Sequence, residues 1–208
     1  AKRSVLDQIA SLNELLVQRC RVATPPIVTF LDIKAAYDSV DRRILWNKLA
    51  EKGAPKHRLG VLRALFGECR SKVAGLGQDS GPLFHEAGLL QGSIISPVLY
   101  SLFINDLAPR IRQVSSPALD GSSQRGGSYL VPGSFFYADD IAIVGRDVVE
   151  ARKQLAVCEA HSRENNYLFN PKKCKFVAGH DAEIALYGNL LQRVESFVYL
   201  GVDMDETG

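Results

Sequence analysis

The stretch FFYADDIAIVG, residues 135–145, sets two aspartates, Asp139 and Asp140, side by side between two apolar runs. Each run reads as a strand, over 134–138 and 141–145, and the ADD between them as a tight hairpin, a setting that favours Asp. A desolvated carboxylate is costly, and two adjacent ones repel. Either the pair is solvated at its turn or something neutralises it, and this stretch alone leaves both open.

Residues 27–32, IVTFLD, are a second β-branched apolar run, and it ends in Asp32. If the two strands are sheet neighbours, Asp32 and Asp139 converge at one sheet edge. Three carboxylates gathered there repel strongly unless a cation neutralises them. Oxygen-only ligands with room for water suit Mg²⁺, with Mn²⁺ as a substitute. Two such ions close together serve in-line phosphoryl transfer: one lowers the pKa of an attacking hydroxyl and the other stabilises the leaving group.

The flanking segments give the fold class. Val5, Ile9, Leu12 and Leu16 recur at helical spacing over 4–20. Asp41 caps a helix carrying Ile44, Leu45 and Leu49 that Gly53 stops, and Pro55 opens another helix through about Arg70. Short strands are expected at 72–76 and 83–88, around a hairpin turn in GLGQDSG, 75–81. Ser96 and Pro97 read as a cap and a first-turn proline, with Val98, Leu99, Leu102, Phe103 and Leu107 as the core stripe of that helix. A Ser-, Gly- and Pro-rich loop spans 113–134, a helix runs over 148–166, and KCKFVAG, EIALYG and SFVYLGVDM read as strands. The order gives an α/β layer design: a mixed, mainly antiparallel sheet with helices on one face, in one domain with a small C-terminal sheet region.

Composition narrows the class without choosing a partner. A hydrophobic content of 46% over 208 residues supports a globular core rather than a disordered segment. A net charge of +2 neither demands nor excludes nucleic acid. Lys2-Arg3, Arg42-Arg43, the Lys56–Arg63 segment and Lys172, Lys173 and Lys175 are basic spots, each equally readable as a solvated face. No run of 18 apolar residues exists, so no membrane span is expected. The four cysteines form no CxxC pair and no zinc spacing with the histidines, which suggests a reducing, intracellular setting, nucleus or cytoplasm left open.

GLLQGSIISPVLYSLFINDL, residues 88–107, adds a polar element: Gln91 could hydrogen-bond a sugar or base, and Gly92 permits a turn or close backbone approach. Taken together, the segments resemble the palm of a reverse transcriptase, most like the non-LTR retrotransposon and group II intron branch. LDIKAAYDSVDRRIL resembles that family's first catalytic motif, LLQGSIISPVLYSLFINDL its second, FYADD its third, LFNPKKCKF its fourth and FVYLGV its primer grip. KRSVLDQI resembles the tail of a fingers motif. The five motifs stand in the family's order over nearly the whole chain.

The resemblance implies an RNA-directed DNA polymerase that adds dNTP to a DNA primer 3′-OH on an RNA template by two-metal-ion phosphoryl transfer, using two Mg²⁺ ions, from a retrotransposon polyprotein. Asp32 and Asp139 would bridge the metals, Asp140 would complete the carboxylate set, and the Ile33 carbonyl would add a ligand. Tyr37 would be a steric gate: a ring beneath the sugar leaves no room for a 2′-hydroxyl. RNA-dependent RNA polymerases share the layout but place a polar group there, and a Gly where this chain has Ala138. Gln91 and Gly92 would meet the incoming nucleotide. Lys173, with Lys172 as fallback, would protonate the pyrophosphate. Tyr199, Leu200 and Gly201 would hold the primer. Partial fingers are expected over about 1–25 and 53–90, palm over 26–52 and 91–180, and the primer-grip region over 181–208, with the remaining fingers and the thumb supplied by a parent protein. A reading of a different class is a catalytically silent reverse-transcriptase-derived module that binds nucleic acid.

Overall fold

The computed structural model describes residues 5–20, 26–67, 70–71, 83–84, 87–115 and 133–205. In chain order its elements begin with α1 (Val5–Cys20), β1 (Ile27–Leu31), α2 (Arg42–Glu51), α3 (Lys56–Gly67), β2 (Arg70–Ser71) and β3 (Leu83–Phe84). Next come α4 (Ser96–Ile104), α5 (Leu107–Val114), β4 (Ser134–Tyr137), β5 (Asp140–Gly145) and α6 (Val148–Glu164). Six short strands close the chain: β6 (Lys175–Val177), β7 (Ala185–Leu186), β8 (Asn189–Leu190), β9 (Gln192–Val194), β10 (Phe197–Tyr199) and β11 (Val202–Met204). The expected strand at 72–76, the turn at 75–81 and most of the 113–134 loop lie outside the described residues. The fold is α/β with a mixed, mostly antiparallel sheet.

The chain divides into two compact units. The first comprises Ala1–Ile33, Leu107–Arg163 and Leu168–Gly208. Its five-stranded sheet has the order β4-β5-β1-β6-β9, antiparallel except for the parallel pair β6 and β9. β1 lies centrally because all five of its residues are apolar or Thr and all are buried, so both its faces are covered. Its register on β5 runs from Ile27 opposite Gly145 to Leu31 opposite Ile141. One face carries Val28 and Phe30, with Ala142 and Val144 of β5 beside them. Leu12, Leu15 and Leu16 of α1 pack on that face, as do Tyr199 and Met204 of the β10–β11 hairpin. Each such leucine contributes about 1.5–3 kcal/mol by leaving water.

The second unit comprises Lys34–Asp106 and Glu164–Tyr167. Its helices α2, α3 and α4 bury Leu45, Trp46, Leu49, Phe66, Leu99 and Phe103. Asp41 caps α2 as expected, accepting from the N–H groups of Arg43 at 2.9 Å and Ile44 at 3.3 Å. Burial pushes its carboxyl up, but hydrogen bonds from Asn166, Arg43 and the two backbone N–H groups prevail and hold it below the usual range.

Several boundaries differ from expectation. α3 stops at Gly67, and Arg70 already belongs to β2. Ser96 does not cap α4: it lies inside the helix, and its hydroxyl donates to the Leu90 carbonyl at 2.7 Å instead. Val98 is not core but 60% exposed. Leu107 starts a separate helix, α5, which tolerates Pro109 because first-turn N–H groups have no helical partner anyway. SFVYLGVDM is not one strand but the β10–β11 hairpin, turning at Leu200 and Gly201. Arg42 is not a surface charge; it is buried, with its guanidinium donating to the carbonyls of Gly88, Phe66 and Ala87.

Candidate active site

The sheet of the first unit brings the aspartates to one end. β1 and β5 are direct neighbours, so Asp32, just past Leu31, and Asp140, just before Ile141, lie at the same end of adjacent strands. Strand alternation sets Asp140 on the face of Ala142 and Val144 and carries the face of Val28 and Phe30 on to Asp32. Asp139 sits in the two-residue turn between Tyr137 and Asp140, after Ala138. Ala138 holds a left-handed φ of +51°. The turn keeps Asp139 and Asp140 exposed, so solvation relieves part of their repulsion.

The remaining repulsion is visible at Asp140. Its carboxyl is raised above the usual range by partial burial, then by the charges of Asp139 and Asp32. Asp32 is half-buried, and Lys173 Nζ stands 3.7 Å from its Oδ1, with the Lys173 side chain largely exposed. Ile33 is buried and forms an antiparallel bridge with Phe169. Lys172 is exposed.

Do these residues fit divalent cations? The donors are carboxylates, with Asp140 feeling the charges of both Asp139 and Asp32, and oxygen donors of this kind are the chemistry of a Mg²⁺ site. Among the described residues, however, no three His, Cys, Asp or Glu side chains are gathered closely enough to hold an ion by themselves. That arrangement suits Mg²⁺, which binds through one or two carboxylates and takes its other oxygens from water and substrate phosphates rather than from an all-protein cage.

The primer-grip residues divide. Tyr199 is buried, with its ring 5.6 Å from that of Phe30 and its hydroxyl without a hydrogen-bond partner among the described residues. Its hydroxyl is pushed far up, first by burial and then by the Asp140 charge. Leu200 and Gly201 form the turn, with φ of +51° and +85°. Within the first unit, then, Asp32, Ile33, Asp139, Asp140, Lys173 and Tyr199 are associated.

Tyr37, Gln91 and Gly92 belong to the second unit. The Tyr37 ring stacks on Tyr100 at 5.0 Å between centroids and 16° between planes, and its carbonyl accepts from the Leu89 N–H at 2.9 Å. Gln91 is exposed and donates to both carboxylate oxygens of Asp38, at 3.3 and 3.4 Å. Gly92 has a φ of +82° with open space around it, so backbone conformation rather than crowding calls for glycine. Gly88 is needed on both counts: its φ is +87°, and a Cβ there would meet the Asp38 backbone at 3.0 Å.

Sequence reasoning missed the partners Tyr100, Asp38 and Cys174. Tyr100 falls at a helical spacing that marks it only as core. Asp38 looks like any loop acid, and Cys174 meets Asp32 across 142 residues of chain. No helix among the described residues is long and apolar enough to cross a membrane.

Residues 2–204 match the family model described as reverse transcriptase (RNA-dependent DNA polymerase). The chain is 29% identical over 189 residues to the RNA-directed DNA polymerase from mobile element jockey of Drosophila funebris, covering 86% of this chain and 19% of that one. It is 20% identical over 198 residues to the retrovirus-related Pol polyprotein from type-1 retrotransposable element R2 of Popillia japonica, covering 87% and 31%. It is 26% identical over 217 residues to the probable RNA-directed DNA polymerase from transposon BS of Drosophila melanogaster, covering 98% and 22%. The chain thus spans about a fifth to a third of the length of these relatives. With the carboxylates of its first and third motifs on adjacent strands and the family model matched over nearly its whole length, the chain belongs to the reverse transcriptase family, of the non-LTR type.

Proposed function

We propose that this chain is the palm of an RNA-directed DNA polymerase, adding dNTP to a DNA primer 3′-OH on an RNA template by two-metal-ion phosphoryl transfer, within a retrotransposon polyprotein. The observation that carries the reading is the placement of Asp32, Asp139 and Asp140 at the same end of the adjacent strands β1 and β5, where Asp140 feels the charge of the other two. Asp32 and Asp139 would hold the divalent ions, Asp140 would complete the negative field, and the Ile33 carbonyl would add an oxygen. When bound, the ions lower the pKa of the attacking hydroxyl and offset charge on the leaving pyrophosphate.

The chain's own residues do the rest. Tyr37, its ring backed by Tyr100, excludes a 2′-hydroxyl by size and so selects dNTP. Gln91 leaves Asp38 to meet the nucleotide, and Gly92 turns the backbone toward it. Lys173, already beside Asp32, supplies the proton to pyrophosphate. Leu200 and Gly201 present the hairpin turn to the primer while Tyr199 anchors it in the core. The parent protein supplies the remaining fingers and the thumb.

Primer extension on an RNA template tests this, with dNTP or rNTP, in Mg²⁺ and then Mn²⁺. It is run on the 208-residue chain and on a longer chain carrying the flanking fingers and thumb. The expected result is dNTP extension that Asp139→Asn lowers by about a hundredfold to a thousandfold, as for a group that stabilises reacting charge. A long chain that binds template–primer yet extends nothing would overturn polymerisation and leave a silent binding module.

A further inference from the structure

The β1–β6 ladder ends at the pair Phe30 and Lys175, two residues short of Asp32. Past that point the Asp32 backbone is held by the turn Asn170–Cys174. The Asn170 N–H donates to the Asp32 carbonyl at 2.8 Å. The Asp32 N–H donates to Cys174 Sγ at 3.3 Å, and the thiol reaches back to the Asp32 carbonyl at 3.8 Å. The turn is itself closed, with the Lys173 and Cys174 N–H groups donating to the Asn170 carbonyl at 2.9 and 3.0 Å. Cys174 is 0% exposed.

We propose that Cys174 is a positioning residue for Asp32: its buried thiol takes over where strand pairing stops and fixes the backbone from which the Asp32 carboxylate projects. This rests on the reading of Asp32 as a metal-holding group. Two alternatives fit less well. A packing role alone needs apolar neighbours, not an N–H aimed at sulfur. A nucleophile needs a thiolate, whereas burial pushes this thiol up to about 11, with the Asp32 N–H lowering it, the Asp32 charge raising it and the Asn170 backbone lowering it.

Removing the thiol leaves the Asp32 N–H without its partner and lets the backbone drift. Groups that orient a metal ligand cost about 10–100-fold in metal affinity or activity when lost. The test compares wild type, Cys174→Ala, Cys174→Ser and Cys158→Ala in the longer chain. Cys158 is equally buried and serves as the packing control. Two readouts are taken: the Mg²⁺ concentration at half-maximal thermal shift, which needs no turnover, and kcat and KM for dNTP.

The expected result is that Cys174→Ala raises the Mg²⁺ midpoint and lowers kcat by about tenfold with KM for dNTP held. Cys174→Ser recovers most of both, and Cys158→Ala matches wild type. A wild-type midpoint and kcat in Cys174→Ala overturns the proposal. So does equal damage in the Ala and Ser variants, which would mean volume rather than hydrogen bonding. If wild type extends nothing but shifts with Mg²⁺, the polymerase reading fails while the midpoint still decides for Cys174. Absence of any Mg²⁺ shift overturns both. Should Cys174→Ala not fold, amide exchange in wild type decides: slow exchange at Asp32 supports the bond to sulfur, and exchange at a free-peptide rate overturns it.

Discussion

At Asp140 the demands of fold and chemistry pull apart. Its carboxyl is raised above 3.8 by burial, by Asp139 and by Asp32, so the folded chain holds that proton more tightly than the unfolded one does. The sign follows. The contribution favours the fold at acid pH and is lost as pH rises through the raised value. Asp140→Asn removes this loss. The variant is expected to melt about 1–2 °C higher than wild type at pH 7, and the gap to close below the ordinary carboxylate range, as thermal melts across pH will read. Asp41 and Asp147 have lowered carboxyls and act in the opposite sense, losing stability as pH falls through their values. A sequence shows that Asp139 and Asp140 repel because adjacency is local. It does not show how far Asp140 is buried, the largest cause of its shift, nor that the Asp32 charge from a distant part of the chain adds to it.

At the scale of elements, long periodic segments were legible and short ones were not. β1 announces itself as an apolar run that stops at Asp32, β5 as one that starts from Asp140, and α6 by its length. β7, β8 and β9 have two or three residues, too few to show a period of two. α5 was hidden by Pro109, and Ser96 misled because its hydroxyl had a tertiary acceptor in Leu90. The β4–β5 hairpin carries the most testable local choice. Two-residue turns favour Gly, Asn or Asp where φ is positive, yet Ala138 stands at +51°. The left-handed conformation costs alanine about 1–2 kcal/mol, and glycine loses about 0.5–1 kcal/mol more entropy on folding. Ala138→Gly is therefore expected to stabilise the chain by a net of about 0.5–1 kcal/mol, measured by urea titration.

Across the whole molecule, the sheet order could be inferred only as a condition, that the Asp32 and Asp139 strands be neighbours, and they are. The division into two units was not legible, because each unit is assembled from separated pieces of chain. The carboxylates belong to the first unit and Tyr37 with Gln91 to the second. A divalent cation that binds the folded carboxylates and not the unfolded chain must raise the melting temperature by mass action. At ten times its dissociation constant, Mg²⁺ is expected to add about 1.4 kcal/mol, a few degrees, and Asp32→Asn to erase the gain.

Trp46 is the only tryptophan of the chain, and it is buried in α2 with its ring 6.0 Å from that of Phe66. Its emission is therefore a built-in optical reporter of the second unit. A denaturation curve followed by indole fluorescence and one followed by far-ultraviolet dichroism sample different parts of the chain, and their coincidence or separation measures how cooperatively the two cores unfold. The same signal, followed while Mg²⁺ is added, would record any response of the second unit to the ion without an added label.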